Sequence, residues 1–81
     1  MQQDQDILKE LETISREVFN DKTLQITAST NADDIESWDS LTHMHLINEV
    51  EQYFNIHFVL DEVMQLRNVG DLVKLIRSKV F

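Results

Sequence analysis

The sequence predicts an all-α protein, a small four-helix bundle with three long helices, one short helix and a long loop between the first two long helices. Three segments place apolar residues three or four positions apart, the spacing that lines one face of a helix. The chain has one glycine and no proline, so residues that commonly interrupt helices are scarce. At 81 residues we expect one domain, spanning residues 1–81, with a modest core.

The first helix is predicted from about Asp4 to Phe19. Its apolar residues form one stripe: Ile7, Leu8, Leu11, Ile14 and Val18. Asp4 and Asp6 fall in the first turn, where the positive end of the helix dipole stabilises negative charge. We therefore expect this segment to bury one face and expose the other.

Residues 20–37 lose this periodicity and form an unusually long connection. The stretch TLQIT, residues 23–27, has the composition of a short strand, but a lone strand has no partner in this chain. We therefore expect an ordered loop, held against the core by three apolar anchors, Leu24, Ile26 and Ile35.

The second long helix is predicted from about Ser40 to Phe54, with Asp39 as its N-cap. Its apolar stripe comprises Met44, Ile47, Val50 and Phe54, flanked by Leu46 and Tyr53. A connection follows, and we predict one short helical turn within it, around Glu62 to Leu66.

The last helix is predicted to begin near Asn68, which would act as an N-cap with Asp71 at the third helical position. Its stripe comprises Val69, Leu72, Val73, Ile76 and Val80. Lys74, Arg77 and Lys79 lie further along, towards the C-terminus, where cations complement the helix dipole.

Charge and composition limit the functions that the chain can perform. Asp and Glu number 15 against 7 Lys and Arg, and the formal net charge of −8 opposes nucleic-acid binding and favours partners with basic surfaces. No cysteine is present, so neither disulfides nor thiolate metal sites are expected. The sequence has no signal-peptide pattern and no apolar run of about 20 residues. We expect a free-standing cytoplasmic protein.

Ser40 follows Trp38 and Asp39 at the start of the second long helix, and four interpretations of it remain open. Asp39 or Ser40 could simply cap the helix. Asp39, Ser40 and His43 could form a nucleophilic triad, but they share one helical turn and no glycine-rich turn supplies an oxyanion hole. Residues 31–42 could bind calcium, but they lack required ligands and the glycine. Finally, Ser40 could be an attachment point, because a helix N-terminus stabilises an attached anion.

Three segments of the chain match a known pattern: WDSLTHMHLINEVEQYF, IHF and DEVMQLRNVGDLVKLI. The pattern has Asp-Ser-Leu at the start of the second helix, an apolar residue four positions after the serine, leucine at six, and a terminal Glu-x-x-Phe. Asp-Ser-Leu also lies between a long acidic loop and a helix in this chain. From about Asp6 to Lys79 the sequence therefore resembles the acyl carrier protein family.

The resemblance implies that a separate phosphopantetheinyl transferase attaches 4′-phosphopantetheine to Ser40, between Asp39 and Leu41. The thiol of this arm would hold acyl groups as thioesters, and the monomeric carrier would catalyse no reaction and bind no metal. Partner enzymes with basic docking patches would contact Asp34, Glu36, Met44, Glu49, Glu51 and Glu62. Cargo would occupy a pocket lined by Ile47, Val50, Val63 and Leu66.

The sequence departs from the usual pattern around the serine. The glycine of Leu-Gly-x-Asp-Ser-Leu is missing, and Trp38 precedes the aspartate, where it could pack as an N-terminal staple or face a partner. Thr42 and His45 occupy positions where many fatty-acid carriers have acids. We therefore predict a dedicated carrier for a specialised pathway, such as polyketide-like, glycan-modifying or aminoacyl chemistry. A general fatty-acid carrier and an unmodified helical adaptor are the alternatives.

His43 and His45 raise the question of a metal site. Residues two apart on a helix point about 200° apart and cannot share an ion. Their spacing favours pairing with Asp39 and Glu49 instead, each four residues away.

A further departure concerns the cargo. Val63 and Met64 fall where many family members have a small residue and a glutamate at the mouth of the pocket. Bulk at these positions should shrink the cavity, so we predict short or polar cargo, or cargo left in solvent.

Overall fold

The computed structural model describes residues 4–80 and, within that range, consists of four α-helices without a β-strand. The helices are α1 (Asp4–Val18), α2 (Ser40–Phe54), α3 (Leu60–Met64) and α4 (Val69–Val80), and a 3₁₀ turn (Ala32–Asp34) lies between α1 and α2. The prediction of an all-α bundle with three long helices and one short helix is confirmed. None of these helices is long and apolar enough to cross a membrane.

The core lies where α1 packs against both α2 and α4. Each long helix contributes side chains that are less than 2% exposed: Ile7 and Leu11 from α1, Leu46 and Val50 from α2, Leu72 and Ile76 from α4. Burying an aliphatic side chain of this size stabilises the fold by about 1.5–3 kcal/mol. These contacts fix the direction of α2 and therefore the position of its first residue, Ser40.

The long loop is held against the core by its three apolar anchors, as the sequence predicts, and its first half also contacts α1. Ile26 and Ile35 are buried, and Leu24 is half-buried against the core. Arg16 Nε donates a hydrogen bond to the Leu24 carbonyl at 2.7 Å, and the Ile26 N–H donates to Glu12 Oε2 at 3.0 Å. Backbone groups of the TLQIT stretch are thus satisfied by side chains of α1 rather than by a second strand.

The second half of the loop contacts the start of α4. The Val69 N–H donates to the Thr30 carbonyl at 2.8 Å, and the Gly70 N–H donates to the Ala28 carbonyl at 2.7 Å. Both donors belong to the first turn of α4, whose N–H groups have no partner within the helix. The loop therefore caps α4, and α4 in turn orders the loop.

Two predicted helix boundaries need correction. α1 ends at Val18 rather than Phe19, because Asn20 adopts a left-handed conformation (φ 53°) that ends the helix. α3 occupies residues 60–64 rather than 62–66. The reason is that Glu62 Oε1 accepts the N–H of Val59 at 3.0 Å, which caps a helix beginning at the next residue.

The starts of α2 and α4 agree with the predictions. α2 has the predicted bounds, Ser40–Phe54. At α4, Asn68 Oδ1 accepts the N–H of Asp71 at 2.9 Å, while Asp71 Oδ2 accepts the N–H of Arg67 at 3.1 Å. Asn68 therefore acts as the N-cap, and Asp71 strengthens the same turn.

Candidate functional site

A capping box fixes the start of α2. Asp39 has an extended backbone, and its Oδ1 accepts the N–H groups of Leu41 at 3.0 Å and Thr42 at 2.9 Å. In return, the Asp39 N–H donates to Thr42 Oγ1 at 2.8 Å. Asp39 is thus confirmed as the N-cap. The backbone hydrogen bond from Thr42 is the largest cause that lowers the pKa of the Asp39 carboxyl, so this side chain is charged at neutral pH.

Ser40 is the first residue of α2, and its side chain is exposed. Its hydroxyl forms no hydrogen bond with residues 4–80. The neighbouring Leu41 is 80% exposed. A phosphate esterified to Ser40 Oγ would therefore be accessible and would lie at the positive end of the α2 dipole.

The residues considered for a nucleophilic triad are not arranged as one. His43 Nδ1 accepts the indole N–H of Trp38 at 3.1 Å, and Asp39 Oδ1 is occupied by N–H groups of α2. The predicted pairing of His43 with Asp39 is therefore wrong, because the indole takes the histidine nitrogen. Within the described residues, no base is hydrogen-bonded to Ser40 Oγ, so the site has no activated nucleophile of the triad type.

The acidic loop before α2 caps itself. Asn31 Oδ1 accepts the N–H of Asp33 at 2.9 Å, and Asp34 Oδ2 accepts the N–H of Asn31 at 3.0 Å. These bonds stabilise the 3₁₀ turn, which the periodicity argument missed although Asn31 and Asp34 have capping-box spacing. No group of three or more His, Cys, Asp or Glu residues in the described part of the chain could hold a metal ion.

Trp38 packs across the start of α2. Its ring centroid lies 5.5 Å from that of Phe19 and 6.0 Å from that of His43, the fourth residue of the helix. Contact between the residue before an N-cap and the fourth helical residue is the staple arrangement. Trp38 thus occupies the predicted staple position, half-buried, and ties the end of α1 to the start of α2.

A cavity of about 310 Å³ lies beside Ser40. This volume is near the lower limit of pockets that bind small ligands. Its apolar lining consists of Ala32, Trp38, Leu66 and Leu72, and its polar lining consists of Asp39, Ser40, His43, Arg67 and Asn68. Sequence reasoning missed Arg67, Asn68 and Leu72 as neighbours of Ser40, because no local pattern signals that the α3–α4 connection meets the start of α2.

Of the residues predicted to line a cargo pocket, three lie in the core and one lines the cavity beside Ser40. Ile47, Val50 and Val63 are 3%, 0% and 6% exposed and belong to the core. Leu66 is half-buried and does line the cavity beside Ser40. Met64 is 74% exposed and lines an open groove of about 1110 Å³ along α3 and α4.

The residues predicted to bind partners differ in their availability. Asp34 and Glu36 are exposed on the loop before α2, and Met44 is 49% exposed on α2 itself. Glu49 Oε1 lies 3.4 Å from His45 Nε2, as their spacing predicts. The carboxylate of Glu49, one of the negative charges on α2, therefore lies next to the side chain of His45.

Glu51 and Glu62 have partners within the fold. Glu51 Oε2 accepts the N–H of Phe58 at 2.8 Å. Glu62 Oε1, besides capping α3, lies 3.0 Å from Lys79 Nζ. The backbone hydrogen bond from Val59 is the largest cause lowering the pKa of Glu62, followed by the hydrogen bond from Lys79. These two carboxylates hold the α2–α3 connection and α3 in place.

Comparisons with known proteins agree with this geometry. Residues 9–76 match the family model described as a phosphopantetheine attachment site. The solution structure of the holo acyl carrier protein from Geobacter metallireducens is similar to this chain, with a TM-score of 0.87 and 44% sequence identity. The alignment covers 91% of this chain and 85% of that protein. The comparison with curated proteins finds no match.

Proposed function

The chain belongs to the acyl carrier protein family, defined by its phosphopantetheine attachment site, and we propose that Ser40 carries the prosthetic group. The observation that carries the proposal is the free, exposed hydroxyl of Ser40 at the capped start of α2. The match to a holo carrier over most of the chain supports a covalent 4′-phosphopantetheine. This fold implies a carrier rather than a catalyst.

The residues around Ser40 fit such a group. The hydroxyl has no hydrogen bond with residues 4–80 to break, and the cavity beside it combines an apolar wall with polar groups. Asp39 holds the first turn of α2, so that the attachment point has a fixed position and direction. When bound, the prosthetic group supplies a thiol that holds acyl groups as thioesters. The chain itself binds and orients this group and presents it to partner enzymes.

Modification of one serine tests the proposal. The protein is incubated with coenzyme A and a broad-specificity phosphopantetheinyl transferase, and its mass is measured. Transfer forms a bond between Ser40 Oγ and phosphorus, breaks the pyrophosphate of coenzyme A and releases adenosine 3′,5′-bisphosphate. We expect the wild type and Ser37→Ala, which removes another exposed serine close by, to gain the arm. Ser40→Ala should remain folded and unchanged in mass.

The opposite results are equally informative. An unmodified wild type would support the alternative of a helical adaptor that is never loaded. Modification of Ser40→Ala at the rate of the wild type would refute Ser40 as the attachment residue. Circular dichroism of each variant separates a lost attachment site from a lost fold.

We further propose that the carrier serves a specialised pathway rather than general fatty-acid synthesis. Thr42 and His45 replace acids expected on α2, and Glu51 and Glu62 are occupied within the fold. These features reduce the charge offered to a basic docking patch. Of the other predicted contacts, Glu36 is exposed, Asp34 accepts one backbone N–H, Glu49 lies beside His45, and Met44 is apolar. Loading and turnover should be slow with fatty-acid synthase enzymes and fast with enzymes encoded beside this chain. Ordinary fatty-acid elongation at full rate would refute the specialised role.

The cargo is proposed to be short or polar. Ile47, Val50 and Val63 pack in the core, and the cavity beside Ser40 is small. Loading a short acyl group should therefore shift the NMR signals of residues at this cavity and leave those of Ile47 and Val50 unchanged. Shifts spread through the core on loading a long acyl chain would contradict this proposal.

A further inference from the structure

One arginine beside the attachment site, Arg67, has no ionic partner among residues 4–80. Arg16, Arg77 and Lys79 lie within 3.2 Å of the carboxylates of Glu12, Asp4 and Glu62. The side chains of Arg67 and Lys74 form no such pair with any residue in the range 4–80. Arg67 is also the one that lines the cavity beside Ser40. An unpaired guanidinium in a chain of net charge −8 is an available site for an anion.

Two other polar groups at this cavity are hydrogen-bond donors. Asn68 uses its Oδ1 to accept the N–H of Asp71, which leaves its amide N–H groups available. His43 Nδ1 accepts from Trp38, whose indole can only donate, so the neutral imidazole carries its proton on Nε2. Three of the residues that line the cavity therefore have side-chain donors without a partner among residues 4–80, which suits an acceptor with several oxygens.

The cavity also has one negative group, the carboxylate of Asp39. It remains in place because two N–H groups of α2 bind it. An anion attached to the next residue, Ser40, would be repelled by this carboxylate. A cation nearby offsets that repulsion, and Arg67 lines the same cavity as Asp39 and Ser40.

Cationic lining continues beyond the cavity. The open groove of about 1110 Å³ shares Leu66, Arg67 and Asn68 with the cavity and extends to Lys74. Its two acids already have partners, Lys79 for Glu62 and the backbone N–H of Arg67 for Asp71. Along this path from Ser40 to α4, Arg67 and Lys74 have no ionic partner among residues 4–80, while Asp39 and Asp71 are bound by backbone N–H groups.

We propose that Arg67 binds an anionic group carried on the Ser40 arm. Two groups have this chemistry, the phosphodiester that joins the arm to Ser40 and a carboxylate at the free end of the cargo. Arginine suits either, because its planar guanidinium can donate two parallel hydrogen bonds to a phosphate or a carboxylate. The inference rests on the proposed attachment to Ser40. The inference assigns Arg67 as a residue that positions the arm. If the carboxylate is the ligand, it also assigns the cargo to the class of acyl groups with a free carboxylate.

The test compares four forms of the full chain by NMR, following the side-chain Nε–Hε signal of Arg67. The forms are apo, holo, butyryl-loaded and succinyl-loaded, prepared by transferring the arm from coenzyme A or its acyl derivatives and verified by mass. A shift on passing from apo to holo identifies the phosphodiester as the ligand. A shift that appears only with the succinyl group identifies the cargo carboxylate. An unchanged Arg67 signal in all loaded forms overturns the proposal.

Variants distinguish binding from a mere change of surroundings. In Arg67→Gln the ³¹P signal of the holo form should move, or the acid dissociation constant of the succinyl carboxylate should fall by about two- to fivefold, the range of an exposed ion pair. Arg67→Lys should restore part of the effect. Lys22→Gln removes another unpaired cation, at a separate cavity near the end of α1, and should change neither signal.

The two proposals fail differently. If the wild type gains no mass, the attachment at Ser40 is refuted and the anion site falls with it. If the mass increases but Arg67→Gln matches the wild type in both signals, only the anion site is refuted.

Discussion

Gly70 in the first turn of α4 approaches the long loop so closely that a methyl group has no room. A Cβ at this position would lie 2.8 Å from the Ala28 carbonyl oxygen and 3.3 Å from the Ala28 Cβ. Contacts as short as 2.8 Å force atoms to move, and this oxygen also accepts the Gly70 N–H at 2.7 Å. Gly70→Ala must therefore push the loop away from α4 and weaken a hydrogen bond that caps the helix.

Two effects of opposite sign decide the outcome. Alanine is better than glycine within a helix by at most about 1 kcal/mol. Overpacking costs about 1–3 kcal/mol, and a weakened hydrogen bond adds about 0.5–1.5 kcal/mol. Because the unfavourable terms are larger, we expect Gly70→Ala to lower the free energy of unfolding by about 1–3 kcal/mol. Helix propensity alone, which ranks alanine above glycine, predicts a change in the free energy of unfolding of the opposite sign.

Thermal and urea unfolding followed by circular dichroism measure this change. In a domain of this size, 1 kcal/mol corresponds to about 4–8 °C in Tm. Hydrogen exchange shows where in the fold the destabilisation occurs. The amides of Val69 and Gly70, which donate to loop carbonyls, should lose protection. Amides in the middle of α1 should change only as far as the global stability changes. A variant as stable as the wild type or more stable, with both amides still protected, would refute the steric argument.

Three further predictions concern α1 and the start of α2. The pKa of Asp39 is lowered in the folded protein, so its stabilising contribution is full above its ordinary value of 3.8 and is lost as the pH falls through the folded value. Asp39→Ala should lower the urea midpoint at pH 7. Asp39→Asn should lower it less, and it should also remove the part of the stability loss in acid that comes from protonation of Asp39. Ser15→Ala removes a buried hydroxyl that donates to the Leu11 carbonyl at 2.7 Å; because alanine is the better helix former, calorimetry should show a change below about 1 kcal/mol. Trp38, the only tryptophan, lines the cavity beside Ser40, so its fluorescence should change on conversion to the holo form and stay constant in Ser40→Ala treated identically.

Local patterns predicted the helices well. The bounds of α2 and the caps at Asp39 and Asn68 depend on contacts within four residues, which a sequence displays directly. Errors arose where a side chain acted in an unexpected local role. Glu62 caps α3 and thereby moves the helix two residues towards the N-terminus, a local role that the sequence analysis did not predict for it.

The surroundings of Ser40 were harder to predict. The spacing of His43 and Asp39 suggested an ion pair, but in the folded protein His43 Nδ1 accepts the indole N–H of Trp38 instead. Ile47, Val50 and Val63, which the family resemblance places at the cargo pocket, lie in the core of the folded protein. A helical stripe records which side of a helix is buried and does not reveal where packing leaves space.

The helical character of the chain, the first residue of α2 and the serine beside a capping aspartate could all be predicted from the sequence. These features follow from interactions between residues near one another in the chain. The cavity that Arg67, Asn68 and Leu72 share with Ser40 forms only when distant segments pack together. Their approach depends on how the loop, α1 and α4 pack, down to the missing Cβ of Gly70, and such long-range contacts leave no periodic signal in the sequence.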